Sequence, residues 1–289
     1  MRHGFLLIHK PLGPTSHDVV AQVRRILSER KIGHLGTLDP LASGLMILAV
    51  GAKALKVVEL FNALPKVYEA EVTLGIESST YDSEGVLETL KPKAGWLPPD
   101  DASRIQAIID DRFLGKISQV PPAFSAIHVG GERAYRKAMR GENVEMKARE
   151  TKISVCKVID YHYPIVRLGV HCDSGTYIRS LAHDLGFSLR CGGYLSALVR
   201  TAVGEWNLRN AYAPEAVNWT HVLPLKDILL GLEKRDLSPA EWEEIRNGRP
   251  IEGDMDPEIP CIAWFEDLPV ALLERSRKRE GMLKPRKVL

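Results

Sequence analysis

His34-Leu35-Gly36-Thr37-Leu38-Asp39-Pro40-Leu41-Ala42-Ser43-Gly44-Leu45 sets one carboxylate between a Gly-Thr turn and a proline, then runs directly into Met46-Ile47-Leu48-Ala49-Val50. The apolar run from Leu45 to Val50 reads as a buried strand, which puts Asp39 at its lip. Gly36 and Gly44 permit positive φ or close backbone approach. Pro40 fixes its own φ and biases Asp39 away from the helical region. An isolated Asp-Pro is ordinarily an Asx-type turn that caps local amides. Here the whole loop is shaped, which is how a chain presents a nucleophile or a ligand.

Outward from this loop, Ser16 to Leu27 predicts a helix with Ser16 as N-cap, apolar at 19, 20, 23, 26 and 27 and with arginines opposite. Phe5 to Ile8 predicts a short strand. Val67 to Leu74 alternates, with Tyr68, Ala70, Val72 and Leu74 on one face. Ile105, Ile108, Ile109 and Phe113 mark a second amphipathic helix, Ile165 to Cys172 a strand, and Ile178 to Arg190 and Tyr194 to Val199 helices. Strands and helices interleave without a βαβ period or an internal repeat, which predicts an α+β fold. The acidic segment from Glu233, with Ser238 as N-cap and Pro239 at the first helical position, marks a boundary. We expect a first domain over 1–234 and a small β-rich module over 235–289.

The 289 residues suffice for one large domain plus a small one. Four scattered cysteines without C-x-x-C and nine histidines without H-E-x-x-H speak against a zinc ribbon, a disulfide framework or a metal centre. No dinucleotide fingerprint or P-loop is present, so no metal or organic cofactor is expected. The N-terminal apolar stretch is too brief for a signal peptide, and no run approaches a membrane span. A soluble protein that stays in the cytoplasm is expected.

The net charge of +2 conceals segregation. Residues 1–60 carry eight Lys/Arg against four Asp/Glu, 128–157 again eight against four, and 274–289 seven against two. Residues 77–111 and 230–268 are acidic. If the basic segments share a face they suit a phosphate backbone; charge alone is equally compatible with solvated helix faces.

The Asp39 segment resembles the catalytic motif of the TruB family of tRNA pseudouridine synthases, H-x-G-T-L-D-P-x-A-x-G-x-L, at every specified position. Lys10 to Ser16 is similar to that family's K-P-x-G-x-T-S motif, Gln119 to Ala126 to its Q-x-P-P-x-x-S-A segment, and Gly175 to Ala182 to G-T-Y-I-R-S-L-A. Tyr194 to Thr201 resembles its last catalytic-domain element, and the tail ending Gly281 to Leu289 the end of a PUA-like RNA-binding domain. The resemblance implies a mixed, largely antiparallel sheet with flanking helices, the pseudouridine synthase fold.

It further implies that Asp39 is the nucleophile that isomerises the T-loop uridine of tRNA, position 55, to pseudouridine. Whether it attacks the sugar carbon or the base ring stays open. Arg179 is implied as counter-ion, since a guanidinium favours and orients a carboxylate. Tyr68 is implied to stack on the flipped base and is a candidate for taking the ring proton; periodicity alone leaves core and pocket floor open. Tyr177 is implied to close the pocket, Leu198 to form its apolar wall, and His34 to stack on RNA or stabilise the flipped state. Lys10 either braces the Asp39 loop or contacts phosphate. The basic run Arg133 to Arg140 with Tyr135 interleaved, and the C-terminal basic run, are expected to grip the RNA. The partner is then a tRNA T-stem-loop, met by a monomer without an obligate protein partner. A subunit guided by box H/ACA RNA, a non-catalytic RNA-binding protein and a carboxylate-nucleophile glycosidase are the alternatives.

Overall fold

The structure, a computed structural model, describes residues 3–91, 94–125, 127–256, 258–277 and 279–289. Ala126, which closes the Gln119 segment, and Met1 and Arg2 of the N-terminal stretch lie outside them. A ten-stranded sheet runs in the order Leu223–Pro224, β1 (Gly4–Lys10), β3 (Ala42–Val50), β8 (Gly193–Val203), β4 (Lys66–Leu74), β7 (Ile165–Cys172), β6 (Arg149–His162) and β5 (Gly115–Gln119). β2 (Ile32–His34) and Trp206–Asn207 attach to β3 and β8. Every pairing is antiparallel except β8 with β3, where Leu198, Val199 and Arg200 lie against Ala42, Ser43 and Gly44.

The apolar run of β3 is explained by burial on both faces. Leu45, Ile47 and Ala49 join Phe5 and Leu7 of β1 in one cluster. Met46, Leu48 and Val50 join Leu6 and Ile8 beneath helix α1 (Ser16–Leu27), which contributes Val19, Val20 and Val23. The other half of the sheet is covered by α2 (Ala102–Arg112) and α3 (Ile178–Ser188), whose Ile105, Ile109, Leu181 and Leu185 meet Ala70, Val72, Leu168 and Val170.

Two expectations are corrected. Tyr194 to Val199 is strand, not helix. β8 is bulged between Leu195 and Ala197, so Leu195 and Leu198 are both buried although three residues apart. A bulge thus produces the spacing of a helix face. The N-cap of α1 is Thr15 rather than Ser16: the Asp18 amide donates to Thr15 Oγ1 at 3.1 Å, and the Thr15 amide donates to Asp18 Oδ2 at 2.9 Å. This capping box leaves the Ser16 hydroxyl available elsewhere.

A second sheet orders β9 (Glu233–Asp236), β11 (Cys261–Phe265), β12 (Leu268–Arg275), β13 (Met282–Val288) and β10 (Ile251–Glu252). The boundary expected after residue 234 falls inside β9. Helix α4 (Pro239–Arg246) begins with Ser238 as cap and Pro239 first, as the sequence predicts. Ile262, Trp264 and Leu272 of this module pack into the same cluster as Phe5 and Phe61. Lys287 Nζ meets Glu59 Oε2 at 2.9 Å, and Arg286 pairs with Glu59 at 3.0 Å. Lys284 pairs with Glu274 at 2.9 Å and Arg275 with Asp254 at 2.7 Å. These members of the C-terminal basic run therefore fasten the module to the main domain or to itself. All four pairs are partly solvent-exposed.

Candidate active site

The Asp39 loop is pinned from both sides. The Ser16 hydroxyl accepts from the Leu38 amide and donates to the Leu38 carbonyl, each at 2.8 Å. The Gly13 amide donates to the Pro40 carbonyl at 2.9 Å. Lys10, fully buried, donates from Nζ to the carbonyls of Ala42 at 2.7 Å and Pro11 at 3.0 Å. From β8, Arg200 donates to the carbonyls of Leu45 (2.7 Å), Thr37 (3.2 Å) and Gly36 (3.3 Å). Gly44 permits that approach: its φ is +111°, and a Cβ there would sit 2.4 Å from the Arg200 carbonyl oxygen.

Arg179 lies near the start of α3, and the segment before it is held by Gln119 of β5. The Gln119 side chain accepts from the Tyr177 amide at 2.8 Å and donates to the Tyr177 carbonyl at 2.9 Å. The Arg179 guanidinium meets Asp39 Oδ2 at 3.0 Å and Asp82 Oδ2 at 3.1 Å, and donates to the Phe124 carbonyl at 2.9 Å. The two carboxylates differ sharply: the Asp82 side chain is 2% exposed and that of Asp39 42%. Asp82 is therefore a structural anchor for the guanidinium, while Asp39 opens into a cleft. At 42% exposure Asp39 is open to water in the empty cleft, so an entering group must supply the shielding.

The cleft has a volume of ≈ 390 Å³ and is bounded by Asp39, Tyr68, Tyr177, Arg179 and Leu198, with the buried Lys66 and Arg200 also in its lining. Burial pushes the Tyr68 phenol above its usual range, with the Arg200 guanidinium opposing. Tyr68 is thus less suited to accept a ring proton than an ordinary phenol. Burial likewise raises the Tyr177 phenol, with the nearby Ser125 hydroxyl opposing.

Two sequence-predicted residues are not on the cleft surface. Lys10 is the loop brace, and its zero exposure removes the phosphate contact. His34 sits in β2, its ring edge-on to His17 with centroids 5.7 Å apart, and it is His17 that faces the cleft. Burial, with His17 and Arg200 adding to it, lowers the His34 pKa. His34 is therefore coupled to the cleft through its neighbour His17.

Over the mouth lies a hairpin, His128–Val129 with Glu132–Arg133, followed by the short helix Ala134–Met139. Phe124, Ser125 and Tyr135 from this region line the cleft. Arg140 is occupied by Glu132 at 2.8 Å and Glu142 at 2.6 Å. Arg133, Arg136 and Lys137 have no carboxylate partner among the described residues, and Arg136 lies over the Tyr135 ring, 6.0 Å from its centroid. Among the described residues no helix is long and apolar enough to cross a membrane.

Residues 24–178 match the TruB family pseudouridylate synthase N-terminal domain. The chain belongs to the TruB family. It is 41% identical over 284 residues to tRNA pseudouridine synthase B of Mycobacterium sp. (strain KMS), covering 96% of this chain and 93% of that one. It is 42% identical over 259 residues to the protein of the same name from Mycobacteroides abscessus, covering 86% and 85%. The fold recurs in a solved Cbf5-Nop10-Gar1 complex, with TM-score 0.70 and 24% identity over 99% of this chain and 84% of that one. It also recurs in an H/ACA RNP bound to a substrate RNA containing 2'-deoxyuridine, with TM-score 0.69 and 22% identity over 99% and 84%. The α+β reading, with a pseudouridine synthase sheet and a small PUA-like β module, stands. Besides Lys66, three TruB site residues have no role readable from the sequence. Arg200 and His17 lay inside quoted segments, and Asp82 was counted only as part of an acidic stretch.

Proposed function

We propose that this TruB protein is a stand-alone tRNA pseudouridine synthase that isomerises the T-loop uridine, position 55, in the cytoplasm. The observation that carries this reading is Asp39: a half-open carboxylate, fixed 3.0 Å from a buried guanidinium, at the edge of a cleft of ≈ 390 Å³. Residues 1–234 would do the chemistry and 235–289 support tRNA binding.

A stacked uridine cannot reach Asp39, so the nucleotide must be flipped out, at a cost of a few kcal/mol. Arg133, Arg136 and Lys137 supply cations over the mouth for the loop's phosphates. Once inside, the base lies against Tyr68 and Leu198, with Tyr177 closing the side. Water is displaced from Asp39, and Arg179 keeps one carboxylate oxygen engaged so that the other points at substrate. Attack at the sugar carbon breaks the glycosidic bond directly; attack at the base ring activates it. Either route ends with the sugar joined to carbon, with no net gain or loss of atoms and no external energy source.

The test is incubation of the purified protein alone with an unmodified tRNA transcript, followed by mass mapping of modified uridines. Wild type is expected to convert the single T-loop site, and Asp39→Asn to bind the tRNA without converting it. Conversion by that variant, or a requirement for added proteins or guide RNA, overturns the reading.

A further inference from the structure

Three cations reach the inner part of the TruB cleft, and their charge is not balanced. Arg179 faces two carboxylates, Asp39 and Asp82. Arg200 donates to backbone carbonyls and lies beside the Tyr68 phenol. Lys66, the first residue of β4, is 8% exposed and lines the cleft on the same strand face as Tyr68. Its ammonium makes one long hydrogen bond, 3.4 Å to the Leu64 carbonyl. No carboxylate among the described residues lies within ion-pairing distance of Lys66. A Cβ placed on Gly36 would lie 3.8 Å from both Lys66 Cε and Arg200 Nη1, so both cations sit against the turn three residues before Asp39.

A buried ammonium with spare N–H groups and no counter-ion is costly unless something else supplies the negative charge. Both routes open to Asp39 generate that charge on the base. Attack at C1′ breaks the C1′–N1 bond and leaves its electron pair on N1, delocalised onto O2 and O4. Attack at C6 drives the C5=C6 pair through C4 onto O4. We infer that Lys66 is a catalytic residue of the isomerisation: its ammonium donates a hydrogen bond to the uracil carbonyl oxygen that becomes negative, and keeps its proton throughout. The inference rests on the proposed synthase reading. It assigns to the cleft floor what an oxyanion hole does in acyl transfer, where one donor accounts for roughly 100-fold or more in rate.

Lys66 is also held at the edge of protonation. Burial, with Arg200 of β8 beside it, pulls it down to about 8, while Cys172 across β7 opposes weakly. Cys172 is itself raised to about 11 by burial and stays neutral. Tyr68, raised by burial, stays neutral too. The ammonium is thus the group near the floor that titrates just above neutrality.

The experiment measures single-turnover release of tritium from the uracil C5 of a labelled tRNA transcript, alongside tRNA affinity. Lys66→Met is expected to slow release on the order of 100-fold with tRNA affinity within about twofold. Lys66→Arg is expected to recover most of the rate. Wild-type release should fall as pH rises through about 8, whereas the arginine variant should hold its rate to about pH 9, because a guanidinium does not titrate there. A methionine variant at the wild-type rate, a loss explained wholly by weaker tRNA binding, or an alkaline fall that persists in Lys66→Arg overturns the assignment. If wild type releases no tritium, the synthase reading itself fails; release from wild type with none from Asp39→Asn keeps that reading while Lys66 is judged. Should Lys66→Met not fold, Lys66→Arg alone decides through its pH profile.

Discussion

The two walls of the TruB cleft handle charge in opposite ways. On one, a single guanidinium is shared by a buried carboxylate and an open one, so the charge of Arg179 is fully met within the fold. On the other, Lys66 and Arg200 are lodged beneath the Asp39 loop with only carbonyls and a phenol for company. The first arrangement is complete without substrate and serves geometry. The second is incomplete without it, which marks where negative charge is to arrive.

The sharpest way to break this contrast is on the saturated wall. Arg179→Lys keeps the charge but loses the planar fork that bridges Asp39 and Asp82. Single-turnover pseudouridine formation should fall on the order of 1000-fold, with tRNA binding nearly unchanged. A mild effect would mean that charge alone, not orientation, is what Asp39 needs. Next comes the seam where the walls meet. Gly44→Ala forces a Cβ to within 2.4 Å of the Arg200 carbonyl in a backbone held at φ +111°. A loss of about 3 kcal/mol or more in denaturant unfolding is expected.

The unsaturated wall gives the opposite sign. Lys66→Met removes an ammonium that the fold holds against its preference, and keeps a similar stem. The native pKa of about 8 lies below the ordinary value of 10.5, so the protonated form is penalised by folding. That penalty is full below about pH 8 and fades as pH rises towards 10.5, because over that window the unfolded chain binds more protons than the native one. At pH 7 the variant should therefore be more stable than wild type by about 1–2 kcal/mol, after allowing for residual solvent. The advantage should shrink towards alkaline pH in parallel melts. A gain in stability joined to a loss of rate would separate the two walls cleanly. The smallest effect concerns cations spent on architecture. Glu59→Gln weakens the ties to Lys287 and Arg286, costing under about 1 kcal/mol. Non-specific RNA binding should become slightly tighter and more steeply salt-dependent.

Much of this was legible in the sequence because it is local. The Asp39 loop, the buried strand that follows, the alternation of β4 and the Ser238-Pro239 helix start all depend on neighbours within a turn or two. What escaped depends on long-range pairing. β8 reads as a helix because its bulge brings Leu195 and Leu198 to the same side, and only pairing with β4 reveals the bulge. Asp82 is one acid in an acidic stretch until α3 brings Arg179 to it. His34 and Lys10 lie in telling motifs, yet they act from beneath the cleft surface, and residue type alone does not distinguish a brace from a contact. Lys66 is not legible because a lysine opening an alternating strand looks like an ordinary solvated end.

The clamp on the Asp39 loop has a consequence for when the protein becomes reactive. Ser16, Gly13 and Lys10 are in place early in synthesis, but Arg200, which holds the carbonyls of Gly36, Thr37 and Leu45, is separated from them by more than 150 residues of chain. Domains are made N-terminal end first, so a growing polypeptide owns its nucleophile long before it owns the strand that aims it. The aim arrives only with β8, when most of the large sheet has already been made, so an unfinished chain carries the carboxylate without the clamp that directs it.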